Sequence, residues 1–423
     1  MSKTRTNGLF IVKAFLLSFY CVFNSAIAAD EPTFDFWHWW VSGSEIKNIT
    51  LVKQYAKQQG ITVQDQSMRS YNNSDYSNVL KKHIQQHNPP TAAMLISSEV
   101  HPYNNTFSLL NLDDVAQEQG WEDVIPDAIQ ETAKFQGHWI SAPINSHSTN
   151  WLWINKALFT RLNLPMPETL NDLLVVLERA KMMGIPGLVS LTVGWEYTIL
   201  FELVAISSNG LEFYRRLFID RQQLPGDKQL LINALMRAQQ LTHYFSADTV
   251  NNSWDENTAA MLQGEVLMQI QGSWVGSELE NLGATADVDY LCIRFPDTQG
   301  AYLFHTDHVV FFDTPTNDTA QQKNFARMLL DKEFQRDMSI SSGASPARVD
   351  TSTEGFNSCG KKSIHDLRMA NMRRAVMISM NNNDMHTLMT DFIQHTISAE
   401  SAAQRILETY RPQQPGAAVQ GEQ

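Results

Sequence analysis

The run from Phe34 to Glu45, FDFWHWWVSGSE, constrains the fold more than any other segment. An aromatic stretch of strand length ends in Trp37, Trp39 and Trp40, and a Ser/Gly turn leads straight into a helical pattern. A strand that passes at once into a helix is the opening unit of an open α/β sheet, and such sheets bind ligands in the crevice beyond the carboxyl ends of their strands. The indoles therefore stand at the mouth of a candidate site. Indole faces suit sugars, because a pyranose offers an apolar C–H face and a rim of hydroxyls that need carboxylates, amides and hydroxyls. Core packing is the competing use of the same rings, since most aromatic clusters are buried.

The alternation continues down the chain. Ser42 and Glu45 form the S-x-x-E pattern of a capping box, Ile46, Ile49, Val52 and Ala56 share one helical face, and Gly60 supplies the stop. Residues 61–63 read as a short strand, 76–86 as an amphipathic helix, and 91–96 as a third strand. Strands separated by helices imply parallel pairing. From Trp151 to Gly283 the pattern is mostly helical, with long periodic segments at 170–183 and 230–245. A strand returns at 302–312, and helices follow at 320–338 and 399–410. No internal repeat is present.

The N-terminus reads as a secretion signal. Lys3, Arg5 and Lys13 precede and flank the apolar stretch 14–23, which is too short to span a bilayer, and Ala26-Ile27-Ala28 is a cleavage site. The mature chain is expected to begin near Ala29. Cys21 follows Phe19 and Tyr20, not the small residues of a lipoprotein processing site, so a free soluble protein of the periplasm is expected. The formal net charge is −13, and cleavage would make it more negative, which disfavours nucleic acid or anionic lipid as partners. Cys292 and Cys359 lie beyond the signal. In an oxidising compartment they can pair, or they can be two separate buried thiols, since spacing alone does not bring Cα atoms together.

Six blocks in order carry a resemblance: HWWVSGSE, LDDVAQEQGWEDVIPDAI, NSHSTNWLWINKALF, GWEYTILFE, MLQGEVLMQIQGSW, and GASPARVD followed by Cys359. Together they make the chain similar to the extracellular solute-binding proteins of ABC sugar importers, in the glucose/mannose-type branch. The resemblance implies an α/β fold of the periplasmic binding protein type II class, two lobes joined by hinge strands with a ligand cleft between them. The expected division is a signal over 1–28, lobe one over 29–142 and 301–341, lobe two over 143–300 and 342–411, and a disordered tail over 412–423.

The same resemblance marks candidate ligand-binding residues. Trp39 and Trp40 match the family's aromatic pair and Glu45 its carboxylate, although Glu45 can instead serve only as the cap partner of Ser42. His147 and Asn150 sit in a polar stretch before Trp151-Leu152-Trp153, where Asn150 can equally satisfy its own turn. Trp195 matches an aromatic at the cleft edge, or caps the helix that starts there. Trp274 is offered from the second lobe, and Asp307 occupies the position of a ligand-binding aspartate. Arg348 matches an arginine near the hinge, or pairs structurally with Asp350. His305 and His308 tempt a metal reading, but residues three apart on a strand face opposite ways, so no metal or cofactor is expected.

Several charged positions of the branch look replaced. Ser97-Ser98-Glu99 and Ser342 lack the usual lysines, Ser273 stands for an aspartate, Ser148 for an arginine, and the region Ser379-Met380-Asn381 lacks a histidine. Neutral donors make weaker hydrogen bonds than charged ones, which points to a neutral ligand bound weakly or with altered specificity. The leading function is a monomeric periplasmic binding protein that delivers a neutral sugar to the permease of an ABC importer. The alternative is a sensory protein of the same fold that signals to a membrane kinase or cyclase. G-x-S-x-G, H-E-x-x-H and C-x-x-C are absent; Glu45 and Asp307 could pair as in a glycosidase, but sugar binders use carboxylates purely as acceptors, so an enzyme is not expected.

Overall fold

The computed structural model describes residues 33–68, 74–369, 375–377 and 383–412. The signal segment, Cys21, Asn381, Asn382 and the tail from 413 lie outside the described residues.

The first lobe is built on a sheet opened by the aromatic run. Phe34–His38 pairs in parallel with Val63–Ser67 on one side and Ala92–Ile96 on the other. Phe34 and Phe36 are fully buried and pack against Phe325 from the helix Thr319–Leu329, so the strand's apolar content is spent in the core. The second strand was expected at 61–63 but runs Val63–Ser67 through Gln64, Asp65 and Gln66. It is an edge strand with a largely exposed surface, and an edge needs no apolar alternation. The helix Glu45–Gln58 follows the first strand and buries Ile49, Val52 and Ala56 as the periodicity predicts, while Ile46, expected on the same face, is exposed in the first turn.

The sheet then changes direction. Tyr302–Phe311 joins Ala92–Ile96 antiparallel, and Ala142–Ser148 pairs antiparallel along Tyr302–Phe311. Ala142–Ser148 also leaves the lobe: Thr149 and Asn150 lead directly into Trp151–Asn155. That strand is the centre of a second sheet, antiparallel to Met268–Gln271 and Tyr290–Arg294. The region from 151 to 283 is mostly helical as expected, and the two short strands within it were not anticipated. Every position of Trp151–Asn155 and Met268–Gln271 is buried, so no period-two alternation betrays them. The expected helices surround it as Leu170–Met182, Gly194–Asn209 and Asp227–Thr242.

Apolar packing falls into lobe-sized bodies. Phe34 to Ile144 and Tyr302 to Met338 supply the first core, and Leu152 to Leu303 with Met385 to Tyr410 supply the second. The boundary expected at 342 meets a stretch still bonded to first-lobe groups: Ser345 exchanges backbone hydrogen bonds of 2.8 and 2.9 Å with Ser146. From there the helix Ser358–Met369 reaches the second lobe, where Cys359 forms a disulfide with Cys292 across 67 positions of sequence, Cα to Cα 6.0 Å. The ion pair of Arg294 with Asp366, 2.8 Å, joins the same strand and helix about two helical turns further on.

A crosslink closing so long a loop restricts the unfolded chain, with typical values of about 2–4 kcal/mol. Replacing both Cys292 and Cys359 by Ser is expected to lower unfolding free energy by about that amount in urea titrations. A reducing agent should lower the midpoint of the native protein and leave that of the variant unchanged.

Candidate functional site

A cavity of about 440 Å³ lies between the two lobes, within the size range of small-molecule sites. The antiparallel pair that joins the lobes forms its floor. On these strands His305 faces His147 and Asp307 faces Asn145 in register. Residues two apart share a face of a strand, so the four side chains form one patch. Asn145 Nδ2 donates to Asp307 Oδ2 at 3.2 Å, and His147 Nε2 lies 3.6 Å from the same oxygen. His147 Nδ1 and Ser273 Oγ share a hydrogen bond of 3.0 Å.

Electrostatics follow from this packing. Burial would raise the Asp307 carboxyl, but His147, His305 and the Asn145 amide outweigh it and hold the group below its ordinary value. Burial pushes His305 down to about 4, so its ring is neutral at pH 7. His308 faces the other way, into the first-lobe core, between Ser141 Oγ at 2.9 Å and Thr132 Oγ1 at 3.1 Å. Among the described residues no three His, Cys, Asp or Glu converge as a metal site.

Helix N-termini supply the walls. Trp195, Trp254 and Trp274 are each the first or second residue of a second-lobe helix: Gly194–Asn209, Trp254–Gln263 and Trp274–Asn281. Trp274 is central, with ring centroids 5.5 Å from His147, 5.6 Å from His305 and 5.8 Å from Trp195. Opposite them the first strand's indoles divide. Trp37 packs in the core, its Nε1 donating to Asp35 at 3.1 Å. Trp40 is mostly core, against Phe36 and His38, and only edges the cavity. Trp39 is half-buried against Tyr76 and lines it.

Two helix caps are also cavity walls. Glu45 Oε2 accepts from Val41 N at 3.0 Å and Ser42 N at 2.8 Å, while Ser42 Oγ accepts from Glu45 N. The capping box therefore forms, and the same carboxylate still lines the cavity. Glu196 repeats this on the facing lobe, accepting from Thr192 N at 2.8 Å and Val193 N at 3.3 Å. Burial pushes Glu196 up to about 7.

Of the nine residues expected at the site, seven line the cavity: Trp39, Trp40, Glu45, His147, Trp195, Trp274 and Asp307. Asn150 and Arg348 do not. Asn150 is wholly buried at the crossover, donating to Thr298 Oγ1 and Ala301 O at 3.1 Å and accepting from Arg294 at 3.0 Å. Arg348 is spent on Asp350, 2.6 and 3.0 Å, and on the Leu330 carbonyl. Glu196, Trp254 and Asp255 also line the cavity and were not singled out. Their signal was present: GWE and SWDE each place a tryptophan and an acid at a helix start, and Ser253 with Glu256 forms a capping box. Beside the neutral Ser342, six carboxylates line the cavity.

A polar latch also joins the lobes. Ser44 N, at the start of Glu45–Gln58, donates to Glu278 Oε2 of the second lobe at 3.1 Å, with both residues buried. A carboxylate at a helix N-terminus is favoured by the unpaired N–H groups there.

A two-lobed α/β protein with a walled cleft at the crossover is a solute-binding fold. The family model of bacterial extracellular solute-binding proteins matches residues 50–356, and the chain belongs to that family, whose members bind rather than transform their solutes. It is 31% identical over 355 residues to a probable sugar-binding periplasmic protein of Brucella suis biovar 1, covering 84% of each chain. A protein of Rhizobium meliloti with the same name is 32% identical over 345 residues, 81% of this chain and 83% of that one. Among solved structures, a chitin oligosaccharide binding protein superposes with a TM-score of 0.75 at 16% identity, over 90% of this chain and 98% of that chain. A solute-binding protein of Thermotoga lettingae bound to α-D-tagatose gives 0.70 at 16%, over 89% and 98%. The fold is that of the type II periplasmic binding proteins.

Removing the latch by Glu278→Ala is expected to weaken ligand binding by about 1.5–3 kcal/mol, the scale of hydrogen bonds to charged groups, because closure loses a contact the open form lacks. Small-angle scattering of the liganded variant should show a more open molecule. At Arg348 the prediction concerns stability. Burial opposes ionisation of Asp350, but Arg348 and Lys332 outweigh it and bring the carboxyl from 3.8 to about 2. A depressed folded value stabilises above pH 3.8 and is lost as pH falls towards 2. Asp350→Asn should therefore be less stable than the native protein near neutral pH, with the gap closing between pH 4 and pH 2 in denaturant titrations.

Proposed function

We propose that the protein works in the periplasm as a monomer, captures a sugar between its lobes, and presents the closed complex to the membrane permease of an ABC importer. One observation carries this reading: indoles from both lobes line one cavity together with carboxylates, hydroxyls and amides. Stacked rings take the apolar faces of a pyranose, and carboxylates accept from its hydroxyls. The relatives named as probable sugar-binding periplasmic proteins support it. Each neutral hydrogen bond contributes about 0.5–1.5 kcal/mol net, so several must act together and the site should discriminate against a missing hydroxyl. A sensory partner in place of the permease would use the same cleft, and no feature of the cleft favours it.

The test begins with uncharged sugars. Calorimetry with glucose, mannose and their deoxy analogues should give measurable heats that fall on deoxygenation, with a change in tryptophan fluorescence on closure. Trp274→Ala should weaken binding by about 1–3 kcal/mol, the scale of a buried aromatic anchor. Unchanged affinity in a folded Trp274→Ala protein would remove this residue from the site. No response to any sugar would remove the reading itself.

A further inference from the structure

The charge on the cavity wall has one sign. Among the described residues six carboxylates line it, and no lysine or arginine does. Four of the six are engaged within the protein. Glu196 caps its helix and accepts from the Gln271 amide at 3.0 Å, and Glu202 accepts from the Tyr214 hydroxyl at 2.5 Å. Asp307 is held by Asn145 and His147, and Glu99 is bonded to Ser77 with Lys81 nearby.

Glu45 and Asp255 differ from these. Glu45 uses Oε2 for its cap, and its other oxygen has no hydrogen bond among the described residues. Asp255 sits in the first turn of Trp254–Gln263, and its Oδ1 is shielded from solvent with no hydrogen-bond partner. Ser342, 3% exposed, lines the same cavity, and its Oγ is also buried without a partner. Buried polar atoms are paired as a rule, so the Asp255 and Ser342 oxygens mark where a bound solute completes the hydrogen bonding, and Glu45 lines the same cavity.

Glu45 belongs to the first lobe and Asp255 to the second. Burial raises the Glu45 carboxyl, and the charge of Asp255 adds to it. Two carboxylates brought together by lobe closure repel each other unless a positive group lies between them. Trp39 and Trp254 line the same cavity, and indole faces attract organic cations. A bare metal ion fits less well, because no three ligating side chains converge among the described residues.

We propose that the solute is a sugar carrying a protonated amine, with its ammonium seated between Glu45 and Asp255 and its ring held by the facing tryptophans. This rests on the sugar reading above and replaces the neutral ligand with a cationic one. The ammonium donates to both carboxylates and bridges the lobes, so binding and closure reinforce each other.

Titration calorimetry at pH 7 and low salt tests it with D-glucosamine, D-mannosamine and D-galactosamine, each beside its parent hexose and its N-acetyl derivative. At least one aminohexose is expected to bind about tenfold or more tightly than both counterparts, the scale of a charge-assisted contact. Asp255→Asn, whose side chain has no internal hydrogen bond to lose, should erase that preference, with a melting curve to confirm folding. A parent hexose or N-acetyl derivative that binds as tightly as every aminohexose overturns the amine and leaves the sugar reading standing. A preference that survives Asp255→Asn overturns the proposed seat. Failure of the whole panel to bind overturns this proposal and the sugar reading together.

Discussion

The antiparallel ladder between Ala142–Ser148 and Tyr302–Phe311 is the interaction on which the rest of the structure depends. It completes the first-lobe sheet, and both strands carry the chain across to the second lobe. Its register also sets His147 against His305 and Asn145 against Asp307, so the crossover and the floor of the site are one object. A one-residue slip would turn all four side chains to the opposite face. The irregularity between Asp307 and His308 sits where the floor ends and the core begins: Asp307 lines the cavity, while His308 is bonded inside the first lobe.

The crossover needs stiffness around it, and buried polar groups provide it. Arg294 is 3% exposed, paired with Asp366, bonded to Asn150, and lies 3.7 Å from the centroid of the Trp151 ring. Such a buried cation is weak evidence for stability, because desolvation offsets most of its attraction. Its effect here is positional. It ties the start of Trp151–Asn155 to Tyr290–Arg294 and Ser358–Met369, and the disulfide holds the latter two together. The elements beside the hinge therefore move as one body.

The cleft walls reuse a single device. A helix starts at the rim, its first turn presents an indole, and a carboxylate caps the exposed N–H groups. Trp195 with Glu196 and Trp254 with Glu256 follow it on the second lobe; on the first lobe Glu45 caps likewise, with Trp39 supplied by the segment before the helix. Capping consumes the N–H groups that would otherwise draw an anion to a helix N-terminus. What remains facing the cavity is aromatic surface and negative charge.

The sequence by itself determined the strand-turn-helix opening, the capping box of Ser42 and Glu45 and the order of family blocks, and of its nine candidate site residues seven line the cavity. These are local signals: periodicity, caps and aromatic clusters are written within a few residues and survive translation into structure. Tertiary structure alone decided the rest. The small second-lobe sheet was hidden because burial on both faces erases alternation. Cys292 and Cys359 could not be paired from spacing, since they lie 67 positions apart in sequence. Asn150 and Arg348 carried motif signals but were drawn into internal bonds, because a buried amide or guanidinium takes the nearest partner the fold supplies. Nor could any local pattern show that Glu45 and Asp255, more than two hundred positions apart, line one cavity with no lysine or arginine among the described residues around it. Charge balance in a cleft is a sum over both lobes, and only the fold carries out that sum.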